Sequence, residues 1–246
     1  MNGAATGSGA RRTGAAGKVQ PVLAPEHVPY LARLSDADRA ALVSAGPELR
    51  YPARTAVLTK GEPTSHVLVI RDGWLKVTDD SDTGYESLLA LRGPGDVIGE
   101  SAALHGASRS ASVMTLKPVT AVVVPARDFN AFLDARPGAA RLLMSVLADR
   151  VRDGDHKRLE LSACSVKERL ARLLLELAEH HGEPVPSGVR IRVPLTQQEL
   201  AGAVGSSRES VTRLLRELRE RGCVATQRHG VVVTRPEVLR RIGGSA

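Results

Sequence analysis

The segment from Thr196 to Leu218, TQQELAGAVGSSRESVTRLLREL, constrains the fold more than any other part of the chain. Its first residue and Glu199 have the spacing of a capping box, in which a hydroxyl and a carboxylate each accept a free backbone N–H at a helix start. Gly205 supplies the left-handed residue that commonly ends such a helix. Ser206 or Ser207 can then cap a second helix. The spacing therefore predicts two short helices joined by one tight turn.

The second of these helices has an apolar side and a charged side. The apolar stripe recurs at i, i+3, i+4 and i+7 and consists of Val211, Leu214, Leu215 and Leu218. The other side carries Arg208, Glu209, Thr212, Arg213 and Arg216. Arginine can donate twice to guanine, and glutamate can accept from cytosine. The alternative is an ordinary solvated face, with Glu209 closing a second capping box from Ser206.

The distribution of charge favours a nucleic-acid partner. Residues 190–246 contain eleven arginines and five glutamates, a net charge of +6 out of +7 for the whole chain. A basic end on a near-neutral body suits the phosphate backbone. Residues 223–233, CVATQRHGVVV, predict two short strands around a polar turn at Arg228, His229 and Gly230. Such a two-stranded wing after a reading helix commonly touches phosphates.

Length and composition exclude several classes of protein. A chain of 246 residues has room for two modest domains. Cys164 and Cys223 are too few for a disulfide framework or a four-thiolate iron–sulfur cluster, and they favour a reducing cytoplasm. The longest purely apolar run, Ala121–Val124, is far too short for a membrane helix, so we expect no membrane partner. Residues 1–17 lack the apolar core of a secretory signal, and we expect residues 1–20 to be a disordered tail.

From about Glu48 to Val124, short β-rich runs alternate with glycine-containing turns. The runs lie at 67–70, 74–78, 86–91, 112–116 and 119–124. Asp72 and Gly73, between the first two runs, predict a hairpin. Many short strands at near-regular spacing predict a small antiparallel sandwich or jelly roll.

A long helix is predicted next, from Pro137 to Leu161, with the proline at its first position. Heptad-like spacing favours a seam that pairs with a second copy of the chain, made of Ala140, Leu143, Leu147 and Val151. The alternative is a helix packed on its own sheet. The chain is thus divided into a β domain over 21–136, a dimerisation helix over 137–163 and a winged helix-turn-helix over 164–246, an α+β fold.

In this order, the jelly roll, long helix and winged helix-turn-helix resemble the cyclic AMP receptor protein (CRP/FNR) family of bacterial transcription regulators over about residues 25–240. The segment GSSRESVTRLL, Gly205–Leu215, is similar to the family's G-x-S-R-E-T-V-x-R-x-L recognition helix. The resemblance implies a cytoplasmic homodimer that binds the major groove of double-stranded DNA at palindromic TGTGA-like sites and contacts RNA polymerase. It implies these DNA-binding residues: Thr196, Gln198, Ser207, Arg208, Glu209, Thr212 and Arg213.

A second segment, Gly99–Val113, GESAALHGASRSASV, resembles the family's phosphate-binding cassette G-E-L-A-L-x-x-x-P-R-x-A-x-V. A glutamate can accept from a ribose hydroxyl, while an arginine, a serine and backbone N–H groups hold a cyclic phosphate. Ser101 and Ser108 stand where the family has leucine and proline. The resemblance implies a site for cyclic AMP or another cyclic nucleotide, built from Gly99, Glu100, Ser101, Arg109 and Ser110.

The long helix departs from the family pattern at the place where members that respond to cyclic AMP set a Thr-Ser pair against the purine. Aligned from Pro137, this chain has Gly154 and Asp155 there. Glycine offers no hydroxyl to adenine. Three alternatives remain: the base is read in another way, another small effector binds, or none does.

Two other kinds of site are considered. Haem could use one of the isolated histidines, His66, His105 or His156, although a lone histidine is more often structural. A jelly roll can also be a cupin-type enzyme, but no His-x-His occurs in the β region. His180 and His181 are adjacent and cannot face one metal from neighbouring helical turns. We therefore expect a regulator, with no enzymatic activity, no metal and no iron–sulfur cluster.

Overall fold

The computed structural model describes residues 28–80, 85–227 and 230–244. The predicted tail and the wing residues Arg228 and His229 lie outside these ranges. The first half of the chain is a β roll of two four-stranded antiparallel sheets, with strand orders β1-β8-β3-β6 and β2-β7-β4-β5. Its strands are β1 (Glu48–Tyr51), β2 (Ala56–Leu58), β3 (Val67–Asp72), β4 (Leu75–Asp80), β5 (Glu86–Arg92), β6 (Val97–Ile98), β7 (Ser112–Thr115) and β8 (Val119–Val124).

The turn at Asp72 and Gly73 joins the two sheets, so the predicted hairpin is wrong. β3 pairs with β8 and β6, whereas β4 pairs with β5 and β7. Gly73 has a φ of +90°, and a Cβ there would lie 2.3 Å from the carbonyl oxygen of Pro118. Only glycine fits this close, left-handed crossing, which carries the chain from one sheet to the other.

Helices cover one sheet of the roll. They are α1 (Tyr30–Arg33), α2 (Asp36–Val43), α3 (Glu100–His105), α4 (Ala126–Ala135) and α5 (Pro137–Ala163). Tyr30 and Phe129 are fully buried between these helices and the sheet. The Tyr30 hydroxyl donates to the carbonyl of Ala139 at 3.0 Å, which ties α1 to the start of α5. Burial, with a smaller contribution from Asp38, raises the pKa of this phenol.

The predicted long helix is present as α5, but the predicted seam is wrong in its first half. Leu143 is buried in the core beneath α1 and α4, and Ala140 and Leu147 pack against the same core. Val151 is the member of the seam that stays exposed, at 66%. Heptad spacing alone could not tell a partner chain from the chain's own helices, because both demand an apolar stripe.

The second half of the chain is a helical domain with its own four-stranded sheet, in the order β11-β12-β10-β9. The strands predicted from residues 223–233 are confirmed, although Gly230, predicted in the turn, is the first residue of the second strand. The preceding pair of strands, rich in glycine and proline, was not predicted. The elements are α6 (Val166–His181), β9 (Gly182–Val185), β10 (Gly188–Ile191), α7 (Gln197–Val204), α8 (Arg208–Glu220), β11 (Val224–Gln227), β12 (Gly230–Val233) and α9 (Pro236–Ile242).

The caps of α7 and α8 follow the sequence closely. Thr196 and Glu199 form the predicted capping box, and Gly205 ends α7 with a φ of +62°. Ser207 caps α8 by accepting the N–H of Ser210 at 3.2 Å, so the alternative capping box from Ser206 is wrong. The apolar stripe of α8 packs inward as predicted.

The two halves are joined where α7 packs against β5. Gly202 of α7 approaches so closely that a Cβ would lie 2.5 Å from the carbonyl oxygen of Glu86. Leu88 and Leu91 of β5 are buried in the same core as Leu200 of α7. A side chain at residue 202 would therefore separate the halves and expose this shared core to water.

A buried charge cluster reinforces this contact. One Glu199 oxygen accepts the N–H of Thr196 at 2.7 Å, and the other accepts from Arg54 at 2.5 Å and Lys76 at 3.2 Å. Burial raises the pKa of Glu199, but the Thr196 N–H and the two cations outweigh it and hold the pKa below its usual value. Lys76 also pairs with Glu86 at 2.7 Å. The carboxylate thus both caps α7 and binds the roll.

Within the three described ranges, no helix has the length and apolar character needed to cross a membrane.

His181, at the end of α6, also lies between the halves. Its ring packs against Trp74 at a centroid distance of 4.5 Å, edge to face. Its Nε2 atom is buried and accepts or donates no hydrogen bond among the described residues. Burial, followed by the nearby charge of His180, lowers the pKa of His181 to about 4.

We expect His181→Phe to reduce the loss of stability in acid. An unfolded histidine has a pKa near 6.5, so between that pH and about 4 the unfolded chain binds a proton that the folded chain excludes. The wild type should lose up to about 2 kcal/mol over this window as pH falls, after allowance for solvent screening. Urea unfolding at pH 7 and pH 4.5 measures the difference. An exposed histidine elsewhere in the chain offers a control, His105→Phe, which should show the pH dependence of the wild type. An unchanged pH dependence in His181→Phe would contradict the assignment.

Candidate effector pocket and nucleic-acid interface

A cavity of about 480 Å³ lies between the β4-β5-β7 side of the roll, the start of α3 and the middle of α5. It is within the size range of small-molecule sites in proteins. All five residues of the predicted cassette line it: Gly99, Glu100, Ser101, Arg109 and Ser110. The two serines are exposed, whereas Glu100 and Arg109 are buried.

Arg109 is held against the wall of the cavity by uncharged acceptors. Its guanidinium donates to Thr64 Oγ1 at 2.8 Å, to the carbonyl of Gly99 at 3.1 Å and to the carbonyl of His66 at 2.7 Å. Gly99 has a φ of +83°, and a Cβ on it would lie 2.6 Å from Arg109 Nη1. The glycine therefore makes room for the arginine, whose pKa is lowered by burial.

Glu100 faces α5. Its carboxylate accepts from Arg150 at 2.7 Å, and Arg150 donates its other terminal nitrogen to the carbonyl of Val97 at 2.8 Å. The remaining Nε of Arg150 is buried and has no hydrogen-bond partner among the described residues. The side chain that can receive a ribose hydroxyl is thus already paired with a cation in this structure.

A β-bulge determines which residues of β5 face the cavity. In the pairing of β4 with β5, Val77 lies opposite Ala90 and Thr78 lies opposite Leu88, so Leu89 is extra. Strand residues normally alternate between faces, and an extra residue shifts that alternation. As a result Leu89 and Ala90 both line the cavity, and so does Arg92.

The cavity is strongly basic. Among the described residues that line it, Glu100 is the one acidic side chain, and the basic side chains are Arg92, Arg109, Arg150, Lys157 and Arg158. Burial and the neighbouring Arg150 lower the pKa of Arg92 to about 10, although Asp96, Glu100 and Asp153 act in the opposite direction. Burial lowers the pKa of Lys157 to about 8 against the attraction of Glu176 and Glu160. Both shifts mean that charging these groups costs free energy in the folded state.

Four of these cations were not predicted as site residues. Three lie on α5, where Arg150, Gly154, Lys157, Arg158 and Leu161 recur at i, i+4, i+7, i+8 and i+11 and face the cavity. That spacing is visible in the sequence as a basic stripe beside the apolar one. The inward position of Arg92 depends on the bulge, which the sequence does not reveal.

Gly154 lines the cavity as expected from its alignment, whereas Asp155 is paired with Arg158 at 2.9 Å on the exposed side of the helix.

The DNA-reading residues expected on α8 form one exposed, concave face. Its residues are Arg208, Glu209, Thr212, Arg213 and Arg216. Thr196 and Gln198, at the start of α7, are exposed as well, and Ser207 is the cap of α8. The structure therefore brings the predicted set together at the first turns of two adjacent helices.

Two details adjust the roles within this set. The Thr212 hydroxyl lies 2.6 Å from Gln197 Oε1 and 2.8 Å from the carbonyl of Arg208, so it links α8 to α7. Gln197 was not predicted as a site residue. The backbone N–H of Glu209 and the Ser207 hydroxyl lower the pKa of Glu209, which keeps its carboxylate ionised and able to accept.

The histidines considered as haem ligands do not gather with other ligands. The carbonyl of His66 accepts from Arg109, and burial, followed by the charge of Arg109, lowers the pKa of the His66 ring. No cluster of three or more histidine, cysteine, aspartate or glutamate side chains with metal-binding geometry occurs in the described ranges. Cys164 and Cys223 are not joined to each other.

Comparison with family models matches both halves of the chain. Residues 48–136 match the cyclic nucleotide-binding domain, and residues 168–242 match the Crp-like helix-turn-helix domain.

Known proteins match along most of the chain. The CRP-like cAMP-activated global transcriptional regulator of Mycobacterium tuberculosis is 31% identical over 202 residues, which is 82% of this chain and 90% of that protein. The global nitrogen regulator of Synechococcus elongatus is 30% identical over 181 residues, which is 73% of this chain and 82% of that protein. A solved structure of a CRP-family transcriptional regulator from Thermus thermophilus has a TM-score of 0.70 at 25% identity and covers 80% of this chain and 97% of that one.

Proposed function

The chain belongs to the CRP/FNR family of transcriptional regulators, which are not enzymes, and from that premise we propose that it acts in the cytoplasm as a homodimer on palindromic TGTGA-like DNA sites. In this proposal, cyclic AMP or another small effector in the basic cavity controls DNA binding, and RNA polymerase is the downstream partner. The observation that carries the proposal is the position of β5. This strand lines the basic cavity and also packs against α7, the helix that lies beside the basic helix α8.

DNA reading is assigned to the first turns of α8. Arg208 and Arg213 can each donate two hydrogen bonds to a guanine, and ionised Glu209 can accept from a cytosine. Thr196, Gln198 and Ser207 lie at helix N-termini, where backbone N–H groups and hydroxyls suit phosphate oxygens. Thr212 is assigned a positioning role, because its hydroxyl lies against Gln197.

Dimerisation is assigned to the outer face of α5. The helix is 27 residues long and exposes Met144 and Val151, one heptad apart, at 60% and 66%. Leu159, two turns after Val151, is also exposed, at 63%. Exposed apolar side chains that recur along one side of a long helix favour pairing with a second helix. Two copies paired in this way can present α8 helices to successive major grooves, about 34 Å apart.

Control by an effector is assigned to the contact between β5 and α7. Ser87 and Leu89 of β5 line the cavity, whereas Leu88 between them is buried against the C-terminal domain. A ligand that moves this strand therefore acts directly on α7, which is linked to α8 through Thr212 and Gln197. A ligand shifts the equilibrium only by its difference in affinity between the two arrangements.

The effector site is proposed residue by residue, whereas the effector is proposed only as cyclic AMP or another small molecule. A relative named for activation by cyclic AMP and another named as a nitrogen regulator match this chain at similar identity. Because Glu100 is paired with Arg150, a ribose hydroxyl has to compete with that cation. This pairing also favours a second candidate, a regulator whose cavity acts only as a scaffold.

We expect Arg213→Ala to weaken binding to the cognate site by about 1–3 kcal/mol and to relax the preference at one base pair, because a bidentate contact to guanine is lost. Fluorescence anisotropy with cognate and single-base-substituted duplexes measures both effects. Arg71→Ala, which removes an exposed arginine from the roll, is the control and should bind as wild type. An equal loss of affinity on random DNA would contradict base reading by Arg213.

We expect Val151→Asp to dissociate the dimer. Two aspartates facing each other in the seam repel, and each replaces an apolar contact. Sedimentation equilibrium should show monomers at micromolar concentration, and binding to a palindrome should fall to the level of a half-site. Leu49→Asp changes an exposed apolar side chain on β1 and should leave the dimer intact. A dimer that survives Val151→Asp would place the interface elsewhere.

We expect cyclic AMP to bind the purified protein and to raise its affinity for the cognate duplex. Calorimetry followed by anisotropy with and without nucleotide tests the two steps separately. Ser110→Ala should weaken nucleotide binding without unfolding the protein, since Ser110 is an exposed cassette residue. If the titration releases no heat and DNA affinity does not change with nucleotide, cyclic AMP is removed as the effector. Undiminished regulation in Ser110→Ala would support the scaffold candidate.

A further inference from the structure

The side chains that line the cavity carry more positive charge than the phosphate of a cyclic mononucleotide carries negative charge. Among the described residues, five cationic side chains and one carboxylate line it, and the carboxylate is already paired with one of the cations. A cyclic mononucleotide brings one negative charge. Carboxylates outside the lining offset part of this charge, since Asp155 pairs with Arg158 at 2.9 Å and Glu176 and Glu160 attract Lys157. The lining itself remains basic, and a partly desolvated basic lining favours ligands that bring more negative charge.

The cations lie on two sides of the cavity. The cassette side has Arg109 and Ser110, beside the start of α3, and is the side to which the proposed function assigns a cyclic phosphate. The helix side has Arg92 at the end of β5, together with Arg150 and Arg158 on α5. In the second group, the positive charge of Arg150 acts on Arg92 and lowers its pKa.

The donors on the helix side are only partly used. Arg92 donates one terminal nitrogen to the neutral carbonyl of Leu91 at 2.8 Å. The Nε of Arg150 is buried without a hydrogen-bond partner among the described residues. Asp96, Glu100 and Asp153 attract Arg92, but burial and Arg150 outweigh them. Arginine is the side chain best shaped to donate to a phosphate in a forked arrangement.

We infer that the cavity takes an effector with two separate phosphate groups, as in a cyclic dinucleotide, with one phosphate at Arg109 and Ser110 and the other at Arg92, Arg150 and Arg158. The inference rests on the proposed function, because it uses the same cavity and the same cassette. It assigns Arg92 as the residue that determines specificity, since the bulge at Leu89 turns it into the cavity. A purine ring stacked on Arg92 is the competing occupant of the helix side.

The test compares ligands with one and two phosphates on the full-length protein. Cyclic AMP and cyclic GMP serve as the single-phosphate probes, and cyclic di-AMP and cyclic di-GMP as the two-phosphate probes. By calorimetry, at least one two-phosphate ligand should bind about tenfold or more tightly than either mononucleotide, because two charge-assisted contacts replace one. Its affinity should also fall more steeply as KCl is raised.

Variants of Arg92 locate the second phosphate. Arg92→Met should weaken the two-phosphate ligand by about tenfold or more, while the affinity for cyclic AMP changes by less than about threefold. Arg92→Lys keeps the charge but not the planar group, so it should retain much of the two-phosphate affinity; loss of all ligands in Arg92→Lys would indicate stacking instead. Arg71→Met, at an exposed arginine away from the cavity, should match wild type.

A folding defect in Arg92→Met would not end the test. Arg158 is exposed on α5, so Arg158→Met should fold as wild type and still weaken the two-phosphate ligand and its salt dependence. Preferential binding of cyclic AMP, unaffected by Arg92→Met and Arg158→Met, would overturn the inference and leave the proposed cyclic nucleotide control standing. Absence of binding by all four probes would overturn both, while the DNA assignment would still be tested by Arg213→Ala.

Discussion

The carboxylate of Glu199 serves two parts of the molecule at once. One oxygen closes the capping box of α7, and the other is held by Arg54 and Lys76 of the β roll. Gly202, one turn further along α7, brings the helix into contact with the backbone of β5. Because the tight turn at Gly205 and the contact of Thr212 with Gln197 fix α8 relative to α7, the position of the reading helix follows from this one interface. Removing the Glu199 charge would leave buried Lys76 with Glu86 as its one carboxylate partner among the described residues and would free Arg54 from α7, so the contact between the halves would weaken.

Most of the local structure could be predicted because it depends on short-range rules. The Thr196 box, the Gly205 end and the apolar stripe of α8 involve residues within one or two turns of each other, and each is found as expected. The failures concern contacts between distant residues. Asp72 and Gly73 carry a hairpin signal but join two sheets, because the partner of β3 is β8, about 50 residues away. Leu143 satisfies a heptad yet packs under its own α1 and α4.

In the candidate site, too, residues of one segment could be predicted, whereas residues contributed by distant elements could not. The resemblance of one segment, Gly99–Val113, to a phosphate-binding cassette implied one site for Glu100 and Arg109, and both line the cavity. Arg92 and the basic residues of α5 come from two further elements, and they meet only after the roll has closed and α5 has crossed it. The folded protein therefore holds several partly desolvated cations together, an arrangement that lowers the pKa values of Arg92 and Lys157 and costs stability. Such strain is typical of sites that are completed by a ligand of opposite charge.

The bulge at Leu89 has a consequence for how the cavity can be altered. Because Leu89 is the unpaired residue, deleting it would restore regular alternation and leave Leu88 and Leu91 facing the C-terminal domain and Arg92 facing the cavity. Deleting Leu91 would instead turn Arg92 into the domain contact. The length of β5 can thus change at the bulge without disturbing the interface that sets α7. Cavities of different shape could be built on this strand by changes at that one position, with the DNA-reading half left as it is.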